Sequence, residues 1–410
     1  MSTSRAIASS AQPERMRRLQ IPEMLPVAGA SARQADLRLL AQAPKDFLDT
    51  THFDTVRFPP PQWALDAFAA AARDGSLAYT GYRGHPRVLE AVAGNISRFL
   101  GMSVPPSALA ITPGTQAGLF TALSAVVEQG DRVALIDPDY LFSARILRYL
   151  GADIGHVPLV TRGEGMVPDL DVLEAEFKAR AARVFVFSHP NNPSGAVYPP
   201  DIISAIAALA IRHDATVVVD ELYARLLHDG VRFSHLAAEP GMAGRTVTLL
   251  GPSKTESLSG YRLGVVVGPD RLMPRIEDAL SITSLRAPAY AQHVLLPWLR
   301  DDHDWLAQRL RVFSALRAMT VEGLRRLPWL RLSPQAGTAY AWSDVSALGL
   351  PGPDVAKALL VDAGVLVSPG YQFGPGSGGF FRVCYARDEA EWASALDRMV
   401  EVLQRLAARA

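Results

Sequence analysis

Lysine is scarce in this chain. Only Lys45, Lys178, Lys254 and Lys357 occur among 410 residues, and arginine carries almost all of the positive charge. A lysine that persists under such a bias is a candidate for a role that needs its amine. Cysteine is scarcer still: Cys384 stands alone, which excludes an internal disulfide and a cysteine-rich metal site and fits a reducing cytoplasm. Charge of one sign is not in excess either. The 41 Lys and Arg balance 41 Asp and Glu, leaving no surplus to draw in nucleic-acid phosphates or anionic lipid, so a small ligand is the expected partner. Long apolar runs are missing. Stretches such as "VFVF" and "TVVV" fall far short of the roughly 20 residues of a membrane helix. The N-terminal "MSTSRAIASSAQPERMRRLQ" lacks the apolar centre of a secretory signal, and residues 1–45 are expected to form an arm.

What is present is a globular composition, 49% hydrophobic and 20% charged, in a length that exceeds what one core usually serves. From about residue 107, β-rich runs alternate with helix-length amphipathic segments: "LAIT", "RVALI" and "RVFVF", each followed by a helix over 115–128, 141–150 or 200–213. That alternation predicts an α/β fold with a mainly parallel sheet. "TVVVD" (216–220) and "TVTLL" (246–250) read as central strands covered on both faces. After about residue 300 the pattern changes to long helices (302–326, 353–364, 387–408) with short strands between them, which predicts a smaller α+β domain. The expected division is 76–300 as a large domain, and 46–75 together with 301–410 as the small one.

Polar clusters stand at the carboxyl ends of the predicted strands, the rim where open α/β sheets bind ligands. Lys254 follows "TVTLL" after a short turn, and an amine there can form an imine with an aldehyde cofactor. Ser253, Thr255 and Arg262 beside it offer hydroxyls and a guanidinium for a phosphate. "TPGTQAGL" (112–119) ends a strand and opens a helix at Gly114, Thr115 and Gln116, a second anion cradle. "VVVDELY" sets Asp220 and Tyr223 at another strand end; a buried carboxylate there can keep a pyridine ring protonated as an electron sink, or simply cap a helix. Asn192 in "SHPNNPSG" can donate to a phenolate oxygen, and Tyr140 in "DPDY" can stack on a planar ring. Together the five clusters describe a pyridoxal phosphate site.

In "YTGYRG", "TPGTQAGL", "DPDY", "NNPSG", "DELY", "SKTESLSGYRLG" and "FFRVCY", in this order from about residue 75 onward, the chain resembles the class I/II aminotransferases. This is the aspartate aminotransferase-like group of fold-type I pyridoxal phosphate enzymes. The resemblance implies that Lys254 is the Schiff-base lysine and proton shuttle, and that Asp220 partners the pyridine nitrogen. It makes Asn192 and Tyr223 donors to the ring's O3′, Tyr140 the stacking ring, and Gly114, Thr115, Gln116, Ser253 and Arg262 the phosphate cup. It gives Arg382 the substrate α-carboxylate. Tyr79 would reach the phosphate of a neighbouring subunit, making a homodimer with shared sites. The implied reaction moves the amino group of an L-amino acid to a 2-oxo acid; elimination, cyclisation or oxidation on the same cofactor is the alternative, and a non-enzymatic cofactor-binding protein is disfavoured because Lys254, Asp220 and Arg382 are all kept.

Three departures stand out. Gly251 occupies a position where the family often has serine, Glu256 one that is often aromatic, and "FDTVRF" (53–58) replaces a loop that usually reads like "GxPDF". Glu256 is expected to face solvent. Asp54, Thr55 and Arg57 are expected to put side chains where the family offers backbone, and Asp54 would favour a cationic amino acid. Arg286, 32 residues past the lysine, would instead pair with a second carboxylate from the partner's side.

Overall fold

The structure is a computed structural model that describes residues 13–19, 32–53, 56–73, 78–228, 230–300 and 303–409. Its larger sheet has eight strands: β2 (Leu109–Pro113), β3 (Arg132–Asp137), β4 (Asp153–Arg162), β5 (Gly165–Pro168), β6 (Val184–Ser188), β7 (Thr216–Asp220), β8 (Thr246–Leu250) and β9 (Leu263–Val267). They lie in the order β2, β9, β8, β7, β6, β3, β4, β5. The pairs from β8 through β7, β6 and β3 to β4 are parallel, and β9 and the outer β5 run antiparallel to their neighbours. The sheet is mostly parallel, as its alternating pattern predicts.

Burial explains why the central strands read as unbroken apolar runs. Side chains alternate across a strand. Val184, Val186 and Val218 therefore meet Leu119, Leu123, Ile146 and Leu147 from the helices Thr115–Val126 and Leu141–Leu150 on one face. Phe185, Phe187, Val217 and Val219 meet Ile202, Ile203 and Ile206 from the helix Pro200–Arg212 on the other. Each strand needs both faces apolar because both are covered.

The C-terminal part builds a four-stranded antiparallel sheet in the order β10 (Arg331–Leu332), β11 (Tyr340–Asp344), β14 (Phe380–Cys384), β13 (Ser368–Pro369). Helices His303–Arg325, Gly352–Ala363 and Glu389–Ala407 match the expected long helices and share a core with Phe313, Leu359, Phe381, Tyr385 and Trp392. The earlier β1 (Leu48–Asp49) pairs in parallel with β12 (Val365–Leu366), and Phe53 and Phe58 enter that same core. Helix Gln62–Arg73 differs: its Ala64 lies in the core of Ile96, Ile111, Val265 and Trp298, on the side of the larger sheet. The segment 46–75 is therefore split in its packing at about residue 60, because the apolar face of that helix finds its complement near 289–295. Within the expected arm, helices Glu14–Arg17 and Ala32–Leu40 are formed. No helix among the described residues is long and apolar enough to cross a membrane.

Candidate active site

The carboxyl ends of β2, β3, β6, β7 and β8 meet the small sheet at a cavity of about 190 Å³ lined by Thr115, Gln116, Tyr140, Asn192, Asp220, Tyr223, Lys254, Tyr340 and Arg382, among others. Eight of the expected site residues are thus brought together, seven from five strand ends of the large sheet and Arg382 from β14.

One end of this cavity is built for an anion. Gly114 has φ +87°, a conformation costly for any side chain, and it turns the end of β2 into the helix Thr115–Val126. No side chain caps that helix, so its first N–H groups remain as donors, with the positive end of the helix dipole behind them. A Cβ on Gly114 would fall 2.5 Å from Nη2 of Arg262, so the missing side chain lets the guanidinium lie over the turn. Gly264 serves the same approach: a Cβ there would stand 2.4 Å from the Thr115 nitrogen. Arg262 holds a left-handed backbone (φ +53°) and donates to the Ser259 carbonyl at 2.9 Å. Ser253 is buried beside it, its hydroxyl 3.4 Å from the Leu263 carbonyl. At Gly251 a Cβ would meet the Leu263 carbonyl at 3.2 Å, so the departure from serine suits the close packing of this turn.

In the middle of the cavity the groups are held from behind. Tyr140 donates to the Gln116 side chain at 3.0 Å, and its backbone N–H is bound by Asp139 at 2.6 Å. Asp139 also accepts from the Ser188 N–H at 2.8 Å, and burial pushes its pKa up to about 8. Asp220 ends β7, accepts the Leu222 N–H at 3.0 Å, and has its pKa pushed up to about 6 by burial, with Glu221 adding repulsion and Lys254 opposing the rise. Burial likewise lowers the pKa of Lys254, helped by the Arg382 and Arg262 charges and resisted by Cys384 and Asp220. Its ammonium would lie 5.7 Å from the centre of the Phe53 ring. The 188–195 turn is closed by its own asparagine: Asn191 accepts from the Gly195 N–H at 2.8 Å through its carbonyl and from the Ser194 hydroxyl at 2.5 Å through its side chain. That turn delivers Asn192 into the cavity.

At the far end stands Arg382, 3% exposed on β14. It donates to Asn192 Oδ1 at 2.7 Å, to the Thr51 carbonyl at 2.5 Å and to Ser368 Oγ at 3.2 Å, and lies 4.0 Å from the centre of the Tyr340 ring. Its buried Nε meets no acceptor among the described residues, so the fork keeps a donor for a ligand carboxylate. Tyr340, whose hydroxyl lies 2.9 Å from that of Tyr223, and Phe53, which packs on both tyrosines, are site residues that sequence reasoning missed. In "GTAYAW" and "THFDT" nothing but strand alternation marks them, and core tyrosines and phenylalanines share that pattern.

Several expectations are corrected or fall elsewhere. Arg57 points to the surface, 3.6 Å from Asp388, rather than into the site. Asp54 and Thr55 lie outside the described residues. Glu256 does not face solvent: it is fully buried, because Arg225 and the indole N–H of Trp298 bind its carboxylate from within. Tyr79 and Arg286 do not line this cavity. They sit together on the surface, Tyr79 84% exposed, with the guanidinium of Arg286 4.7 Å from the Tyr79 ring and 4.6 Å from the Tyr82 ring and its Nε bound to the Thr80 carbonyl at 2.6 Å.

An anion cradle, a central carboxylate and amine, and a buried arginine within one α/β sheet rim define a pyridoxal phosphate enzyme, and the donor set fits that group's phosphate, ring and substrate. The profile of the aminotransferase class I and II family matches residues 50–399, and the chain belongs to that family. It is 30% identical to the aspartate/prephenate aminotransferase of Thermus thermophilus, over 85% of this chain and 89% of that protein. To the arginine–pyruvate transaminase of Pseudomonas aeruginosa it is also 30% identical, over 81% and 82% of the two chains. Its fold is similar to the crystal structure of an aspartate aminotransferase from Rhodobacter sphaeroides, with TM-score 0.85 and 35% identity over 91% of this chain and 99% of that one. The chain is a pyridoxal phosphate-dependent aminotransferase, acting on an amino acid and a keto acid.

Proposed function

We propose that amino transfer takes place in this cavity with Lys254 as the cofactor's attachment point and proton carrier, Asp220 as partner of the ring nitrogen, and Arg382 as the seat of the substrate α-carboxylate. The observation that carries the reading is the convergence of these three residues, from β7, β8 and β14, on one cavity with an anion cradle at its opposite end. Gly114, Thr115, Gln116, Ser253 and Arg262 would hold the phosphate, Asn192 and Tyr223 the ring oxygen, and Tyr140 the ring face. Pyridoxal phosphate supplies, when bound, an aldehyde that bonds to an amine and a ring that takes up the electron pair released at the substrate Cα. The residues do the rest. Lys254, its pKa lowered, is able to take a proton at Cα and return it on the cofactor side. Asn192 holds Arg382 by its Oδ1 and so keeps its own amide N–H groups for the ring.

We place the boundary of the small domain at about residue 60, so that 46–60 accompanies 301–410 and the following helix belongs to the large domain with 76–300. We further propose a cytoplasmic homodimer with shared sites, in which Tyr79 and Arg286 enter the partner's cavity. Their joint exposure on one patch supports this, since Tyr82, stacked on the same guanidinium, is exposed there too. Arg286 would then favour an acidic donor. With purified enzyme and a panel of acidic, basic, aromatic and aliphatic amino acids, absorbance is expected to show conversion to the amine form of the cofactor, fastest with aspartate or glutamate. Arg286→Ala is expected to lower kcat/KM for those two by about 10- to 100-fold and to spare neutral donors. Unchanged selectivity in this variant removes Arg286 from the substrate; fastest conversion by a basic donor returns attention to Asp54.

A further inference from the structure

Two residues beyond the lysine, the chain buries a carboxylate completely. Glu256 is 0% exposed, and its Oε1 is bound by a guanidinium nitrogen of Arg225 and, at 3.1 Å, by the indole N–H of Trp298. A buried carboxylate costs several kcal/mol in desolvation unless it is paired, so it is not retained passively. Its partner comes from a telling place. Arg225 lies two residues after Tyr223 and five after Asp220, on the turn that leaves β7, whereas Glu256 lies on the turn that leaves β8. The ion pair therefore bridges the two turns that carry Asp220 and Lys254.

The lysine turn needs such a hold. Ser257, next to Glu256, has φ +56°, a left-handed conformation that costs a non-glycine residue roughly 1 kcal/mol or more and persists only where neighbours over-determine it. On one side of it stands the Arg225–Glu256 pair. On the other Arg309, stacked over Trp305 and Phe58, donates to Ser257 Oγ at 3.1 Å and to the Pro59 carbonyl at 2.8 Å. The Ser257 N–H in turn closes on the Lys254 carbonyl at 3.3 Å.

We propose that Glu256 and Arg225 are positioning residues for amino transfer, an ion-paired clamp that fixes the Lys254 turn against the Asp220–Tyr223 turn and thereby sets where the lysine amine stands. This rests on the reading of Lys254 as the cofactor's attachment point. The clamp acts through geometry, since neither Glu256 nor Arg225 is among the residues that line the cavity.

The test compares holoenzymes of Glu256→Gln, Arg225→Met and the double variant with wild type, measuring Tm, kcat, KM and the pH at which the absorbance of the lysine-bound cofactor changes. Arg225→Met leaves a buried carboxylate without its hydrogen-bonded cation, with the Arg309 charge still acting on it, and is expected to lower Tm by about 5 °C or more. The double variant removes both charges and is expected to regain Tm to within about 2 °C of wild type. Its kcat should nevertheless stay down about tenfold or more with KM within about threefold, because a displaced amine costs turnover rather than carboxylate binding. The absorbance midpoint should stay displaced by about half a pH unit or more. A double variant that regains wild-type kcat and midpoint along with its Tm would overturn the proposal, and so would single variants with wild-type kcat and midpoint. All three variants keep Lys254 and are expected to form the lysine-bound band, so the assignment of Lys254 itself is judged separately, by Lys254→Ala.

Discussion

Lys254→Ala is expected to lower amino transfer by at least about 10⁴-fold, because it removes the nucleophile that holds the cofactor and the base that moves the proton in one substitution. The protein itself should survive the change. Lys254 is a partly exposed residue facing the cavity, and its lowered pKa means that burial already works against its charge. The cofactor-free variant is therefore expected to melt no lower than the cofactor-free wild type. Its absorbance with added pyridoxal phosphate should resemble free cofactor, without the band of a lysine-bound form. Retention of even one part in a hundred of the activity would place the chemistry on another amine, and only Lys45, Lys178 and Lys357 remain.

Asp220→Asn is expected to separate stability from function. The sign follows from linkage. Asp220 has its pKa raised to about 6 in the folded chain, above its ordinary value of 3.8. Between those values the folded state binds more protons than the unfolded state, so this group's contribution to stability is greatest at low pH and is lost as pH rises toward 6 and beyond. An asparagine carries no such cost. Without cofactor, Asp220→Asn should be more stable than wild type at pH 8, by on the order of 2–3 kcal/mol, and indistinguishable from it near pH 4. Turnover should move the other way and fall about 10²- to 10⁴-fold, because a neutral amide cannot hold a proton on the ring nitrogen by charge. Chemical denaturation of the two cofactor-free proteins at both pH values, with kcat of the reconstituted enzymes, decides it. Equal stability at pH 8 would contradict the burial argument, and turnover within a few-fold of wild type would contradict the role.

Much of this architecture is legible in the sequence, for a physical reason. The strands from "LAIT" to "TVTLL" are apolar on both faces because helices cover both faces, and their ends carry the polar residues because the rim faces the cavity. Hence Lys254, Asp220, Asn192 and Tyr140 could be assigned to one site from their places at strand ends alone. What escaped depends on contacts between distant segments. Tyr340 reaches the cavity from the small sheet, Phe53 packs behind it on Tyr223 and Tyr340 from the early loop, and each reads in sequence like any core aromatic. Glu256 looks like a surface charge until Arg225, 31 residues earlier in the chain, is seen to meet it. The packing of Gln62–Arg73 on the side of the larger sheet is equally hidden, since an amphipathic helix announces its apolar face and not the surface that receives it.

Every role assigned in the cavity depends on which lysine holds the cofactor. Borohydride reduction of the purified holoenzyme fixes the cofactor to its amine, and peptide mass mapping then locates it among the four lysines. One cofactor per chain is expected, on the peptide that contains Lys254 and on no other. Cofactor fixed to Lys45, Lys178 or Lys357 instead, or to no lysine at all, would contradict it.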